Sequence, residues 1–221
     1  MVERADGSPE AKRSFTFKAE GVSRMSQQRF ADIANFLIEF SKAPKKVGAV
    51  APSSPYLSRE LIFGHELQNA NVVLEYGPGT GAFTQDILTN LGDQTKFIAF
   101  EVNPQMTRIL RKRYPTMLVY EESVDEVPKV LADLNISKVD CIVSSLPWAS
   151  FDRDTQDRIL GITRSVLKDG GSFSTFAYFH GLALPSAQAF RRALSTYFSD
   201  VSISDIIWRN VPPALVYNCR K

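Results

Sequence analysis

From Asn71 onward the chain alternates between two rhythms. Apolar, β-type runs at 72–76, 97–101, 117–120, 139–144 and 173–179 are separated by amphipathic helical runs at 83–91, 104–112, 127–134 and 155–167. Strand, helix, strand, helix in this order predicts βαβ units, hence a parallel sheet covered by helices on both faces. The end breaks the rhythm. A helix over 186–198 is followed by two strands, 201–208 and 214–219, joined by Arg209-Asn210-Val211-Pro212-Pro213. Neighbouring strands with a short connection pair antiparallel. The prediction is an α/β fold: a seven-stranded, doubly wound, Rossmann-like sheet with an antiparallel C-terminal hairpin.

In front of this domain, 68–221, lie two other regions. Residues 1–21 are polar and mixed in charge, and read as a flexible arm. Residues 22–67 read as N-terminal helices. Phe30, Ile33, Phe36, Leu37 and Phe40 share one side of the first, to about Ser41, and Arg24, Arg29, Lys42, Lys45 and Lys46 flank it. The second runs from about Pro55 to Leu67. Residues 1–48 carry nine Lys/Arg against six Asp/Glu, while the remainder carries 17 against 18, so the positive excess sits at the front. Such a basic amphipathic stretch suits either packing on the sheet or contact with an anionic membrane surface.

Composition excludes whole classes. Apolar residues are 44% and charged residues 23%, the balance of an ordinary globular domain. No run approaches the ~18 apolar residues that span a bilayer, and the charged first residues do not resemble a secretory signal. Two cysteines, Cys141 and Cys219, make no disulfide framework, and two separated histidines, His65 and His180, predict no metal site. A cytoplasmic setting with reduced thiols is expected.

The most informative segment is Val72-Val73-Leu74-Glu75-Tyr76-Gly77-Pro78-Gly79-Thr80-Gly81. An apolar strand runs into a glycine-rich turn and then a helix, the place where a backbone bends sharply and a ligand approaches closely. With Ala82 it also satisfies the dinucleotide pattern G-x-G-x-x-A. Three details favour S-adenosylmethionine over a dinucleotide. Glu75, two positions before the first glycine, suits a cationic methionyl amine. Gly77, Gly79 and Gly81 fall at E-x-G-x-G-x-G spacing. The second strand ends in Glu101, whose carboxylate can accept from both ribose hydroxyls.

On these residues the segment 71–220 resembles the class I S-adenosylmethionine-dependent methyltransferases. The resemblance implies a cofactor pocket lined by Glu75, Gly77, Gly79, Gly81, Glu101 and Val102, with Ser123 and Val124 at the adenine. Many relatives carry Asp where this chain has Ser123. The fourth strand ends in Ser144-Ser145-Leu146-Pro147-Trp148, similar to the Asn/Asp-Pro-Pro-Tyr motif of amino methyltransferases, with Ser145 replacing the amide or carboxylate. Ser145 and Leu146 are expected at the acceptor nitrogen. Trp148 is expected either to face a methylated ammonium or to serve as a plain hydrophobic cover. At the close of the fifth strand, His180 is a candidate for taking the amine proton and Tyr178 for accepting a hydrogen bond from the amine; the alternative is a Tyr capping the strand and a solvated loop His.

Together with Gly48 to Ser54, Thr175 to Tyr178 and Trp208-x-Asn210-x-Pro212-Pro213-Ala214, these segments resemble the bacterial phospholipid N-methyltransferases, which convert phosphatidylethanolamine to phosphatidylcholine. Similar sequences methylate ornithine lipids. The resemblance implies S-adenosylmethionine as cofactor, with Ser53 at its site, a phospholipid substrate, contact with anionic lipid through residues 22–46, and a peripheral place on the inner face of the cytoplasmic membrane. It implies neither nucleic acid nor metal. An RNA adenine N6-dimethyltransferase shares the core but calls for Asn at 145 and a basic C-terminal domain. A non-catalytic cofactor-binding protein calls for a degraded glycine loop or a lost Glu101, and both are intact.

Overall fold

The computed structural model describes residues 54–221. Seven strands form one sheet: β1 (Val72–Tyr76), β2 (Lys96–Phe100), β3 (Leu118–Tyr120), β4 (Val139–Ser144), β5 (Leu167–Tyr178), β6 (Asp200–Ile203) and β7 (Ala214–Arg220). Their spatial order is β3-β2-β1-β4-β5-β7-β6. The pairs β1–β2, β2–β3, β1–β4 and β4–β5 are parallel; β7 runs antiparallel between β5 and β6. Every residue of β1 and β4 is buried, as the centre of a sheet covered on both faces requires.

The helices are α1 (Pro55–Ile62), α2 (Thr84–Thr89), α3 (Pro104–Arg113), α4 (Val127–Asp133), α5 (Arg153–Val166) and α6 (Pro185–Tyr197). Their starts follow local chemistry. Ser54, Asn103 and Asp152 accept N–H bonds from the first turns of α1, α3 and α5, and proline at the head of α1, α3 and α6 has φ already set for a helix. Two cores lie on opposite faces. One joins Leu74, Ile142 and Phe173 to Leu131, Ile159 and Phe190. The other joins Val73, Val143 and Val216 to Leu57, Leu61 and Ile87.

Three boundaries differ from the sequence reading by more than two residues. The second helix ends at Ile62, and Leu67–Asn69 forms a separate short turn. Strand β5 begins at Leu167, and its pairing with β4 shifts register between Val139 and Cys141. Strand β6 stops at Ile203 instead of reaching Trp208. Ser204 Oγ accepts the Val216 N–H, and beyond it only the isolated bridge Ile207–Ala214 continues the pairing. The connection is therefore a long, partly exposed loop. Asn210, 3% exposed, anchors it: Oδ1 accepts the Ser54 N–H at 2.9 Å and Nδ2 donates to the Pro212 carbonyl at 2.7 Å. The flexible arm, the first amphipathic helix and Ser53 lie outside the described residues.

Candidate functional site

The parallel strands β1, β2, β4 and β5 all point their carboxyl ends at one edge, where a doubly wound sheet binds ligands. Backbone bonds stitch the exits together. Gly77 N–H donates to Phe100 O at 2.9 Å, and Ser145 N–H donates to Tyr76 O at 2.8 Å. The three glycines have different tasks. All have positive φ: +64° at Gly77, +60° at Gly79 and +88° at Gly81. A Cβ on Gly77 would lie 3.0 Å from Leu146 Cδ2, and one on Gly81 would lie 3.2 Å from both Leu110 and Tyr114. These two glycines let the loop pack closely. Gly79 has open space where a Cβ would point, so it is the glycine that leaves room for a ligand.

Two carboxylates frame the loop. Glu101 Oε2 accepts the Gly79 N–H at 2.9 Å and Oε1 accepts the Asn103 N–H at 2.8 Å. Each oxygen keeps a further lone pair for a hydroxyl. Desolvation raises the Glu101 pKa above the ordinary carboxylate range. Glu75 is fully buried. Its Oε2 accepts from Thr84 Oγ1 at 2.7 Å, whereas Oε1 has no partner. Desolvation pushes its pKa up to about 8, with the nearby Glu101 charge adding to the rise. An orphaned carboxylate oxygen at the head of a glycine loop fits a cationic amine, which would satisfy the oxygen and return the group to its ionised form. The donor set therefore fits S-adenosylmethionine, with Glu75 at the ammonium, Gly79 at the approach and Glu101 at the ribose.

Around the acceptor side, the sequence candidates separate. Ser145 Oγ is buried with no partner, and the Ser145 N–H is tied to β1. Leu146 touches the glycine loop, and its carbonyl accepts the Trp148 N–H at 3.0 Å. Tyr178 ends β5; burial raises its hydroxyl pKa, and its ring stacks on exposed His180 at 5.8 Å.

Trp148 requires a correction. It is 3% exposed, one face lies 4.4 Å from the near-parallel ring of Phe190, and Phe151 and Phe173 meet it edge-on. Its Nε1–H donates to Thr175 Oγ1 at 2.9 Å. A ring packed this way offers no free face to an ammonium. Trp148 instead fixes the exit of β4 onto β5 and α6, and so positions Ser145 and Leu146.

The remaining candidates are placed as follows. Val102 is 39% exposed just past Glu101. Ser123 caps the turn Val124–Glu126, accepting the Asp125 N–H and donating to Asp125 Oδ2 at 2.9 Å. The Val124 side chain belongs to the core, and its carbonyl accepts the Val127 N–H. Two residues escaped the sequence reading. Thr84 holds Glu75, and the partnerless, buried Tyr114 hydroxyl belongs to a ring packed beside Gly81. Thr84 at a helix start carried a weak signal as a polar residue just past the glycines; Tyr114, beyond the end of α3, carried none. Among the described residues no group of three or more His, Cys, Asp or Glu could hold a metal ion, and no helix is long and apolar enough to cross a membrane.

Comparison with known proteins identifies the family. Residues 73–171 match the model of a methyltransferase domain family. An ornithine lipid N-methyltransferase from Singulisphaera acidiphila is 31% identical over 192 residues, covering 86% of this chain and 96% of that protein. A probable dimethyladenosine transferase from Dictyostelium discoideum is 28% identical over 104 residues, covering 47% of this chain and 32% of that protein. Among solved structures, an O-methyltransferase from Bacillus cereus in complex with S-adenosylhomocysteine aligns with a TM-score of 0.62 at 15% identity, covering 94% of this chain and 93% of that one. It shares the fold. The chain belongs to the class I S-adenosylmethionine-dependent methyltransferases.

Proposed function

We propose that this enzyme N-methylates the amino headgroup of a membrane lipid, with ornithine lipid and phosphatidylethanolamine as the two acceptors to test first. The observation that carries this reading is the near full-length match to an ornithine lipid N-methyltransferase. Phosphatidylethanolamine, the acceptor suggested by the sequence motifs, presents the same chemistry, an alkyl amine on a lipid. The enzyme works as a peripheral protein at the inner face of the cytoplasmic membrane, with residues 22–46 against anionic lipid.

When bound, S-adenosylmethionine supplies an electrophilic methyl on a sulfonium. The protein's own task is to hold a neutral amine in line with it. An alkyl ammonium has a pKa of roughly 10, so it must lose a proton before it can act as a nucleophile. The partnerless Ser145 Oγ accepts one amine N–H, with the Leu146 backbone beside it. Tyr178, on the neighbouring strand end, accepts another N–H as a hydrogen bond, and the exposed His180 imidazole beside it takes the proton that the ammonium loses and releases it to solvent.

The test is uptake of labelled methyl from S-adenosylmethionine by ornithine lipid, phosphatidylethanolamine and ribosomal RNA, offered separately, the lipids in detergent micelles. Label in lipid supports the proposal, and the ratio between the two lipids identifies the acceptor. Label in RNA alone overturns it. Tyr178→Phe and His180→Ala should lower turnover at saturating cofactor while leaving cofactor affinity unchanged. Wild-type turnover from about pH 6 to 9 would remove them from the proton path.

A further inference from the structure

The loop between β6 and β7 carries an exposed aromatic cluster with no function in the methyl-transfer site. Trp208 is 65% exposed and Val211 62%. The Trp208 ring lies 5.5 Å from that of Phe179, itself 45% exposed. Beside them, Arg209 donates to the Tyr56 hydroxyl at 2.7 Å and lies 4.9 Å from the centre of that ring. Large apolar side chains grouped at a surface mark an interaction site, and Trp and Tyr with one basic residue suit a surface that is apolar inside and wet outside.

The position of the cluster is as telling as its composition. Phe179 N–H donates to the Pro213 carbonyl at 2.8 Å, so the loop is fastened to the carboxyl end of β5. Ser145 follows β4, the next strand. At ~4.8 Å per strand, the loop root and the acceptor site are about 10 Å apart along one edge. The chain also enters the domain at this corner, where Ser54 N–H donates to Asn210 Oδ1. Lys46, the end of the basic stretch, lies eight positions before Ser54 in the sequence.

We propose that the loop around Trp208 and Val211 inserts into the interfacial region of a bilayer containing anionic lipid and holds the carboxyl edge of the sheet against it. A lipid amine then reaches Ser145 while its acyl chains stay in the membrane. The inference rests on the lipid-acceptor reading. It assigns apolar anchoring to this loop and electrostatic attraction to the basic residues before 48, so salt should weaken binding without abolishing it.

The chain has two tryptophans, and Trp148 is sealed in the core, so emission changes caused by vesicles report Trp208. The experiment uses the full chain with vesicles of phosphatidylethanolamine and phosphatidylglycerol, with and without brominated acyl chains. The expected result is a blue shift on binding and quenching by the brominated lipid. In Trp208→Ala and Val211→Ser, vesicle affinity should fall about ten-fold at high salt while affinity for S-adenosylhomocysteine is unchanged. Vesicle binding without quenching of Trp208 would overturn the proposal. So would a Trp208 already shielded from acrylamide before vesicles are added, since residues 1–53 or a second copy would then cover it. Methyl transfer in detergent micelles reads the acceptor separately: lipid labelling with an unquenched Trp208 rejects the docking face alone, whereas RNA-only labelling rejects the lipid reading itself.

Discussion

At the amino end of the sheet, Asp140 Oδ2 accepts the N–H groups of Asn71 and Val72 at 2.9 and 2.8 Å, and Oδ1 pairs with Lys168. His65 lies close by, with Nδ1 2.5 Å from Ser172 Oγ and Nε2 2.8 Å from Ser174 Oγ. At the carboxyl end, Glu75 Oε1, Ser145 Oγ and the Tyr114 hydroxyl are buried with no partner. Two further unpaired groups, the Tyr76 hydroxyl inside the core and Asn218 Oδ1 on β7 opposite Ser174, depart from this division. A buried polar group that is paired stabilises the fold, and one left unpaired costs roughly 1–3 kcal/mol. The amino end therefore serves folding, while the carboxyl end keeps bonding capacity that the fold itself does not use.

The largest effect that could break this contrast is Asp140→Ala. It strands two backbone N–H groups and removes the partner of Lys168, so stability should fall by about 3 kcal/mol or more, read from denaturant unfolding. Affinity for S-adenosylhomocysteine in the folded fraction should be unchanged. A large affinity loss with little loss of stability would merge the two ends into one functional unit.

Glu75→Gln should act in the opposite sense. The Glu75 pKa is higher folded, about 8, than unfolded, near 4.5. Its contribution to stability is full below about 4.5 and is lost as pH rises through 8. Gln escapes that cost, so the ligand-free variant should be more stable by on the order of 1–3 kcal/mol at pH 8.5. Cofactor affinity should fall about 100-fold, and the wild type, but not the variant, should release a proton on binding below pH 8, visible by calorimetry in buffers of different ionisation heat. Equal proton release by both proteins would remove Glu75 from the ammonium site.

His65 sharpens the contrast from the other side. Desolvation and the Arg220 charge hold its pKa down at about 4, against 6.5 unfolded. Ser174 Oγ donates to Leu61 O at 2.7 Å, so it must accept from His65, which fixes the neutral Nε2–H tautomer. Here the folded pKa is the lower one. The contribution is full above 6.5 and is lost as pH falls toward 4, by about 3 kcal/mol at most. His65→Gln should flatten the acid limb of a thermal-unfolding profile; an unchanged limb would place the acid sensitivity elsewhere.

The smallest effect expected is on stability in Ser145→Ala. Removing an unpaired buried hydroxyl should raise it by about 1 kcal/mol, while single-turnover methyl transfer slows several-fold. A clear loss of stability would show that Ser145 serves the fold.

The sequence by itself determined the elements and the cofactor loop. Helix starts were legible because a cap and a proline act within one turn, and the central strands because both faces of a parallel sheet are apolar. Glu75 and Glu101 were legible because a carboxylate at the end of an apolar run has few structural uses. The tertiary structure decided what depends on distant neighbours. The strand order, with β7 between β5 and β6, follows from pairing across the sheet. The end of β6 was set by where Ser204 finds Val216. The two tryptophans show the same division. Trp148 sits in a motif that suggested a ligand face, yet Phe190, from a helix much later in the chain, covers it. Trp208 was legible only as part of a motif, and its exposure beside Phe179 emerged when the hairpin folded back onto β5. Local rules say which residues can form an element; only packing says which face of an aromatic ring stays open.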